Sequence, residues 1–143
     1  MEKIFEEKVR LGFITCRKSD CGMREHCLRW LGRNYVSRTL KVVTTVNLNN
    51  PEIGGDRCPM LRKNEPVRFA FGFTKLLEEM PRKKGKALMD KMIDMSNRTY
   101  AYEYRNGTRP IPPSMQQKII TCCRQLEWQQ PVEFDRYAED IEW

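Results

Sequence analysis

KGKALMDKMIDMSNRTYAYEYRNGTRPIPPSMQQKIITCCRQL, residues 84–126, carries three helical patterns separated by two sets of stop signals. Leu88, Met92 and Met95 recur on one side of a helix, as the 3.6-residue period requires of a segment with one face in a core. Ser96 or Asn97 has the chemistry to cap the next helix, which runs through Arg105 and is stopped by Asn106-Gly107. Pro112-Pro113 open another, because a fixed φ and a missing N–H suit a first helical turn. There Met115, Ile119, Cys122 or Cys123 and Leu126 repeat at the spacing of a buried face, which makes Cys122 and Cys123 core thiols. Upstream, Thr74 can cap a short helix TKLLEEM that Pro81 ends, and the basic run PRKKGK leads into the helix after it. Val67, Phe69, Phe71 and Phe73 alternate with Arg68, Ala70 and Gly72, the pattern of a strand with one face in the core. Thr39 to Val46 is rich in β-branched residues and reads as a second strand, paired antiparallel with the first. Residues 2 to 10 and 27 to 31 read as short helices, the second ending at Gly32. Residues 47 to 57 read as a loop. At the far end, Phe134, Tyr137 or Ala138, and Ile141 fall at helical spacing. The expected fold class is α+β, mostly helical, with a small antiparallel β-hairpin beside an N-terminal cysteine loop. The expected organisation is a lobe 1–73 and a helical lobe 74–143, or one compact domain.

Four of the six cysteines stand early, as Cys16-x4-Cys21-x5-Cys27 and, after thirty residues, Cys58. Three thiols at short, uneven gaps plus a distant fourth suit a tetrahedral site, since a loop curls three ligands round one ion and another segment closes it. The expected metal ligands are therefore Cys16, Cys21, Cys27 and Cys58, with zinc as the ion. An iron–sulfur cluster, for which Cys58-Pro59 is a suitable step, or no metal, are the alternatives. Buried free thiols and disulfides compete for the same residues. Disulfides lose ground because MEKIFEEKVRLGF lacks the basic-then-apolar-then-small signature of secretion, and a cytoplasmic location is the expectation. Arg17, Lys18, Arg24, His26, Arg29 and Arg33 surround the first three thiols, and such cations favour the thiolate that binds metal. His26 is either a substitute nitrogen ligand or an ordinary surface residue.

The chain of 143 residues has a net charge of +7. No apolar run approaches the roughly 20 residues that cross a bilayer, so no membrane partner is expected. A basic surface attracts polyanions, of which nucleic acid is the commonest. From Arg82 to Arg109 eight Lys or Arg face three acids, while Glu127 to Trp143 holds six acids against Arg136 alone. Arg98, Tyr102 and Arg105, at i, i+4 and i+7, share one helical face, with Ala101 and Tyr104 pointing the other way. Two arginines and a tyrosine suit phosphate and guanine-edge contacts, and Lys83, Lys84, Lys86 and Arg109 can reach the backbone nearby. A solvated basic side on an amphipathic helix is the plainer reading of the same residues.

Residues 84–126 run helix, short turn, helix, loop, helix, and within them RTYAYEYRNGTRPIPPSMQQKIITCCRQL is similar to the recognition helix, Asn-Gly loop and next helix of the Cro and phage-repressor family of helix-turn-helix proteins. The resemblance covers about a third of the chain. It implies that Leu88 to Asp94 is the supporting helix and Arg98 to Arg105 the helix laid in the major groove of double-stranded DNA. A second resemblance spans nearly the whole chain. The order Cys16, Cys21, Cys27-Leu-Arg, Cys58-Pro, Arg68-Phe-Ala, Gly72-Phe-Thr, Arg105-Asn-Gly-Thr-Arg-Pro and Pro131-Val-Glu-Phe-Asp-x-Tyr resembles a family of short proteins of unknown function from gut Bacteroidetes. That likeness implies a cytoplasmic bacterial setting and no catalytic residues.

An enzyme is not expected. The chain has a single histidine and lacks a Gly-x-Ser-x-Gly elbow or a glycine-rich phosphate loop. The functional expectation is a DNA-binding transcriptional regulator with a structural metal site held by the four early cysteines. The alternatives are an adaptor that meets a protein partner through Tyr100, Tyr102, Trp128 and Trp143, or an iron–sulfur sensor.

Overall fold

In a computed structural model describing residues 1–143, the chain is α+β and mostly helical, with six α-helices and a small two-stranded antiparallel sheet. It divides into two compact units, Met1–Glu65 with Ile141–Trp143, and Pro66–Asp140. No helix is long and apolar enough to cross a membrane.

The first unit holds α1 (Glu2–Arg10) and α2 (Leu28–Gly32) among loops and two 3₁₀ turns. Glu2 in the first turn of α1 and Lys8 and Arg10 in its last complement the helix dipole. Phe5 and Val9, one turn apart, are its buried face. Phe5 stacks on Tyr35 with ring centroids 4.8 Å apart and receives the edge of Trp143 at 4.9 Å. The strand expected over residues 39–46 is not formed. Thr45 makes a single parallel bridge to Thr15, and Leu40 and Val42 are exposed. β-branched residues favour an extended chain but supply no partner, and without a neighbouring ladder the segment stays irregular.

The second unit contains β1 (Pro66–Phe71), α3 (Thr74–Glu79), α4 (Arg82–Met95), α5 (Arg98–Asn106), α6 (Pro113–Gln125) and β2 (Arg136–Ile141). β1 pairs with β2, so the sheet is not the hairpin expected with residues 39–46, and the helix expected over the last segment is a strand. Two cross-strand contacts explain the choice. The Arg68 guanidinium lies 3.8 Å over the Tyr137 ring, and that of Arg136 lies 3.9 Å over Phe71, pairs available only when the two segments run side by side. The aromatic face of β1 is only half-buried. The strand's one fully buried residue is Ala70, on the opposite face, which exchanges two backbone hydrogen bonds with Ile111.

Phe73 reaches the core because Gly72, at φ +78°, turns the chain after β1. A Cβ on Gly72 would stand 2.6 Å from an Asp135 carboxylate oxygen and 3.3 Å from the Arg105 carbonyl, so only glycine fits. Around Phe73 the core gathers Leu76 of α3, Leu88 and Met92 of α4, Ala101 of α5, and Ile119 and Cys123 of α6. Burial pushes the Cys123 thiol up to about 11, with the neighbouring Cys122 adding to the shift, so this thiol is packing material. The basic run after Pro81 is not a lead-in: Arg82, Lys83, Lys84 and Lys86 form the first turns of α4 itself.

α3 is capped from sixty residues away. The Asp135 carboxylate accepts hydrogen bonds from the Thr74 hydroxyl (2.7 Å), the Thr74 N–H (2.9 Å) and the Lys75 N–H (3.0 Å). Burial pushes its pKa up, but these three donors outweigh burial and hold it below the usual aspartate value. Asp135→Ala is expected to lower stability by about 1 kcal/mol, the usual worth of a cap. Because the folded-state pKa lies below the unfolded one, the contribution is present above about pH 4 and fades as pH falls through the folded value. Thermal melts of both proteins at pH 7 and pH 3 check this: the gap between them should close in acid.

Candidate functional site

The four early cysteines reach one place from three directions. Cys16 follows the Thr15 bridge and donates its N–H to the Arg29 carbonyl at 2.8 Å. Cys21 sits in a turn, and Cys27 precedes α2, pinned by an antiparallel bridge to Lys63. Cys58 lies in the turn that leads from Gly55 to Leu61. All four line a small, partly open cavity of about 20 Å³, with Trp30, Val46, Ile53 and Leu61 among its walls. The backbone N–H of Gly55 points at the Cys21 sulfur at 3.4 Å. All four are unbridged thiols. They share a wall rather than a focus, since no three side chains stand as a preformed ligand group. His26 is exposed and does not line the cavity.

Sequence reasoning placed Arg29 in the cationic surroundings and missed that it is buried, at 8% exposure. Its guanidinium donates to the carbonyls of Met60 (2.7 Å) and Ile14 (2.9 Å) and lies 4.9 Å from the Phe13 ring centroid. Its pKa is lowered, by burial first and then by the charge of Arg62, while Cys27, Cys16 and Cys58 act in the opposite direction. The Arg62 Nε is buried with no hydrogen-bond partner. The available signal was an arginine inside the apolar run Leu28-Arg29-Trp30-Leu31, where a charge needs a reason to be.

On the second unit, α5 is set by its own ends. The Asn97 side chain accepts the Tyr100 N–H at 2.8 Å, and Gly107, at φ +82°, closes the helix in the left-handed conformation. Ala101 and Tyr104 point into the core, which puts Arg98, Tyr102 and Arg105 on the opposite face, Arg98 exposed and Tyr102 and Arg105 half-buried. Both guanidiniums flank the Tyr102 ring, Arg105 at 4.5 Å and Arg98 at 5.6 Å from its centroid. Neither arginine is in a salt bridge, and the Arg105 Nε donates to the Asn106 side chain at 3.0 Å. Arg109 differs from them. It is bound to Glu103 at 2.6 Å and stacked over Tyr100 at 3.6 Å, and the hydrogen bond to Glu103 raises its pKa.

Lys83 and Lys86 are exposed and Lys84 reaches the Glu127 carbonyl at 3.3 Å. They occupy the opposite end of α4 from the link to α5, roughly 15–20 Å of helix rise away, so the lysines and the α5 face are two patches. That link is Ser96-Asn97 alone, shorter than the three or four residues of a helix-turn-helix unit, with the Ser96 hydroxyl bonded back to the Met92 carbonyl at 2.8 Å. Leu88 to Asp94 lies within α4 and Arg98 to Arg105 within α5. Of the aromatics named for an adaptor, Trp143 packs on Phe5 and Phe13 in the first unit and Trp128 packs against the core of the second. Tyr100 and Tyr102 remain on α5.

From residue 1 to residue 143 the chain matches a family of unknown function, DUF6078. It belongs to that family. No curated protein and no solved structure is similar to it. DUF6078 membership therefore brings no assigned site, and the two arrangements above stand on their chemistry.

Proposed function

We propose that this chain is a cytoplasmic DNA-binding regulator that lays the outer face of α5 against duplex DNA, with the four early cysteines holding a structural zinc ion in the other unit. One observation carries the reading: Arg98 and Arg105 sit on either side of Tyr102, outside the core and free of carboxylates. Arg109, by contrast, is already paired with Glu103. Unpaired guanidiniums on a rigid, capped helix suit phosphates and the guanine edge, and the tyrosine between them holds both in place by its ring face. The lysines at the start of α4 supply a second cationic patch for the backbone. The two-residue link between α4 and α5 means that docking need not follow the helix-turn-helix pose.

Fluorescence anisotropy of a labelled duplex titrated with the protein tests this. Binding is expected at low salt, with log K falling against log[salt] at a slope of roughly −3 to −4, as about four phosphate contacts require. Absence of any affinity at about 50 mM salt, where such contacts are strong, removes the proposal.

A further inference from the structure

The outward side of α5 has two edges. By the helical period, Arg98, Tyr102 and Arg105 form one of them and Tyr100 and Glu103 the other, with the exposed Thr99 and Asn106 between. The first edge carries cations and no acid. The second carries Glu103, the one acid of α5, and the loop after Gly107 folds back to lay a cation on it. The Arg109 Nε donates to the Glu103 carboxylate at 2.6 Å, and the guanidinium lies 3.6 Å over the Tyr100 ring. Both members of the pair are partly open to solvent, Arg109 at 34% and Glu103 at 36% side-chain exposure. The loop itself does not hang on that carboxylate. Its Thr108 and Arg109 N–H groups donate to the Glu103 backbone carbonyl at 3.1 and 3.3 Å, and the Thr108 hydroxyl does so at 3.3 Å. The Glu103 side chain can therefore change partner without releasing the loop.

We infer that Arg109 is a third cation of the DNA-binding face, serving the phosphates of the second strand, and that Glu103 holds it in reserve by standing in for a phosphate. This rests on the reading of α5 as the element laid against duplex DNA, and it adds a further contact residue and the group that limits it. A helix lying in a groove has a phosphate backbone along each edge, and Arg98 and Arg105 occupy only one edge of α5. Carboxylate and phosphate use the same guanidinium donors, so Glu103 must leave Nε before a phosphate can take the bidentate pair of N–H groups. Tyr100 keeps the guanidinium at this edge during the exchange, because its ring holds the cation by its face and leaves the donors free. A partly exposed ion pair is a weak lock, which a closely spaced row of phosphates can open. With Glu103 paired the edge is close to neutral, and without it the edge gains one positive charge.

Anisotropy titrations of a labelled duplex across a salt series compare the full-chain wild type, Glu103→Gln and Glu103→Gln/Arg109→Ala. Glu103→Gln is expected to bind roughly 3- to 10-fold more tightly at low salt, with a salt slope steeper by about 1, as one added phosphate contact requires. The double variant should return to the affinity and slope of the wild type. Glu103→Gln should also melt close to the wild type, since backbone hydrogen bonds hold the loop. A double variant as tight as Glu103→Gln would trace the gain to the lost acid alone and overturn the role of Arg109. If Glu103→Gln binds as the wild type does while Arg98→Ala/Arg105→Ala weakens binding, the reserve is wrong and α5 stands as the docking element. No binding by either the wild type or Glu103→Gln at about 50 mM salt removes both readings. A large fall in the melting temperature of Glu103→Gln would make the pair a structural clamp and overturn the exchange.

Discussion

Phe73→Ala is expected to lower the stability of the helical unit by about 3–5 kcal/mol, the range for truncating a fully buried phenylalanine. Phe73 is the largest of the fully buried side chains, and its backbone ties three elements. Its N–H donates to the Arg105 carbonyl at 3.1 Å, and its own carbonyl accepts the Leu77 N–H at 3.1 Å. Losing the ring leaves a cavity in the core that Phe73 shares with Leu76 and Leu88, which this backbone cannot collapse to fill because Gly72 and the Asp135 cap fix the turn. A domain of this size has about 5–15 kcal/mol in total, so the change removes much of it. Urea denaturation followed by circular dichroism measures the effect. Phe69→Ala, on the half-buried face of β1, is the comparison and should cost clearly less. Equal costs would mean that the strand face, not the residue after the Gly72 turn, anchors the core.

The double variant Arg98→Ala/Arg105→Ala is expected to weaken duplex binding on the order of a hundredfold and to reduce the salt slope by about 2. An arginine contact to DNA is worth about 1–3 kcal/mol, and about 1.4 kcal/mol is tenfold. Neither side chain is part of the core or of an ion pair, so the melting temperature should stay close to that of the wild type. Arg109→Ala should have a smaller effect on DNA affinity, since its guanidinium is already held by Glu103. Unchanged binding by a folded double variant would exclude α5 as the reading element.

The helices of the second unit were legible residue by residue because their signals are local. Asn97 caps, Gly107 stops and Pro113 starts, and each acts within one turn of itself. The same locality made the outward face of α5 readable, since the placement of Ala101 and Tyr104 inward follows from helical period once the helix exists. Residues 39–46 misled because β-branched content reports compatibility with a strand and not the presence of a partner. Residues 136–141 misled in the opposite way. Their apolar residues sit at helical spacing, yet Arg136 and Tyr137 are taken up by Phe71 and Arg68 from a strand far back in the chain.

For the thiols, spacing nominated Cys16, Cys21, Cys27 and Cys58 and left their meeting to be found. Residue order alone determined the caps and stops of α5 and α6 and which residues of α5 share a face, because dihedral preference and capping are settled among neighbours within a few positions. Tertiary structure alone decided that β1 pairs with β2, that Asp135 caps α3, and that Arg29 lies buried at the thiol cavity. Each of those depends on groups distant in the chain meeting at hydrogen-bonding or ionic range, and no local preference encodes such a distance.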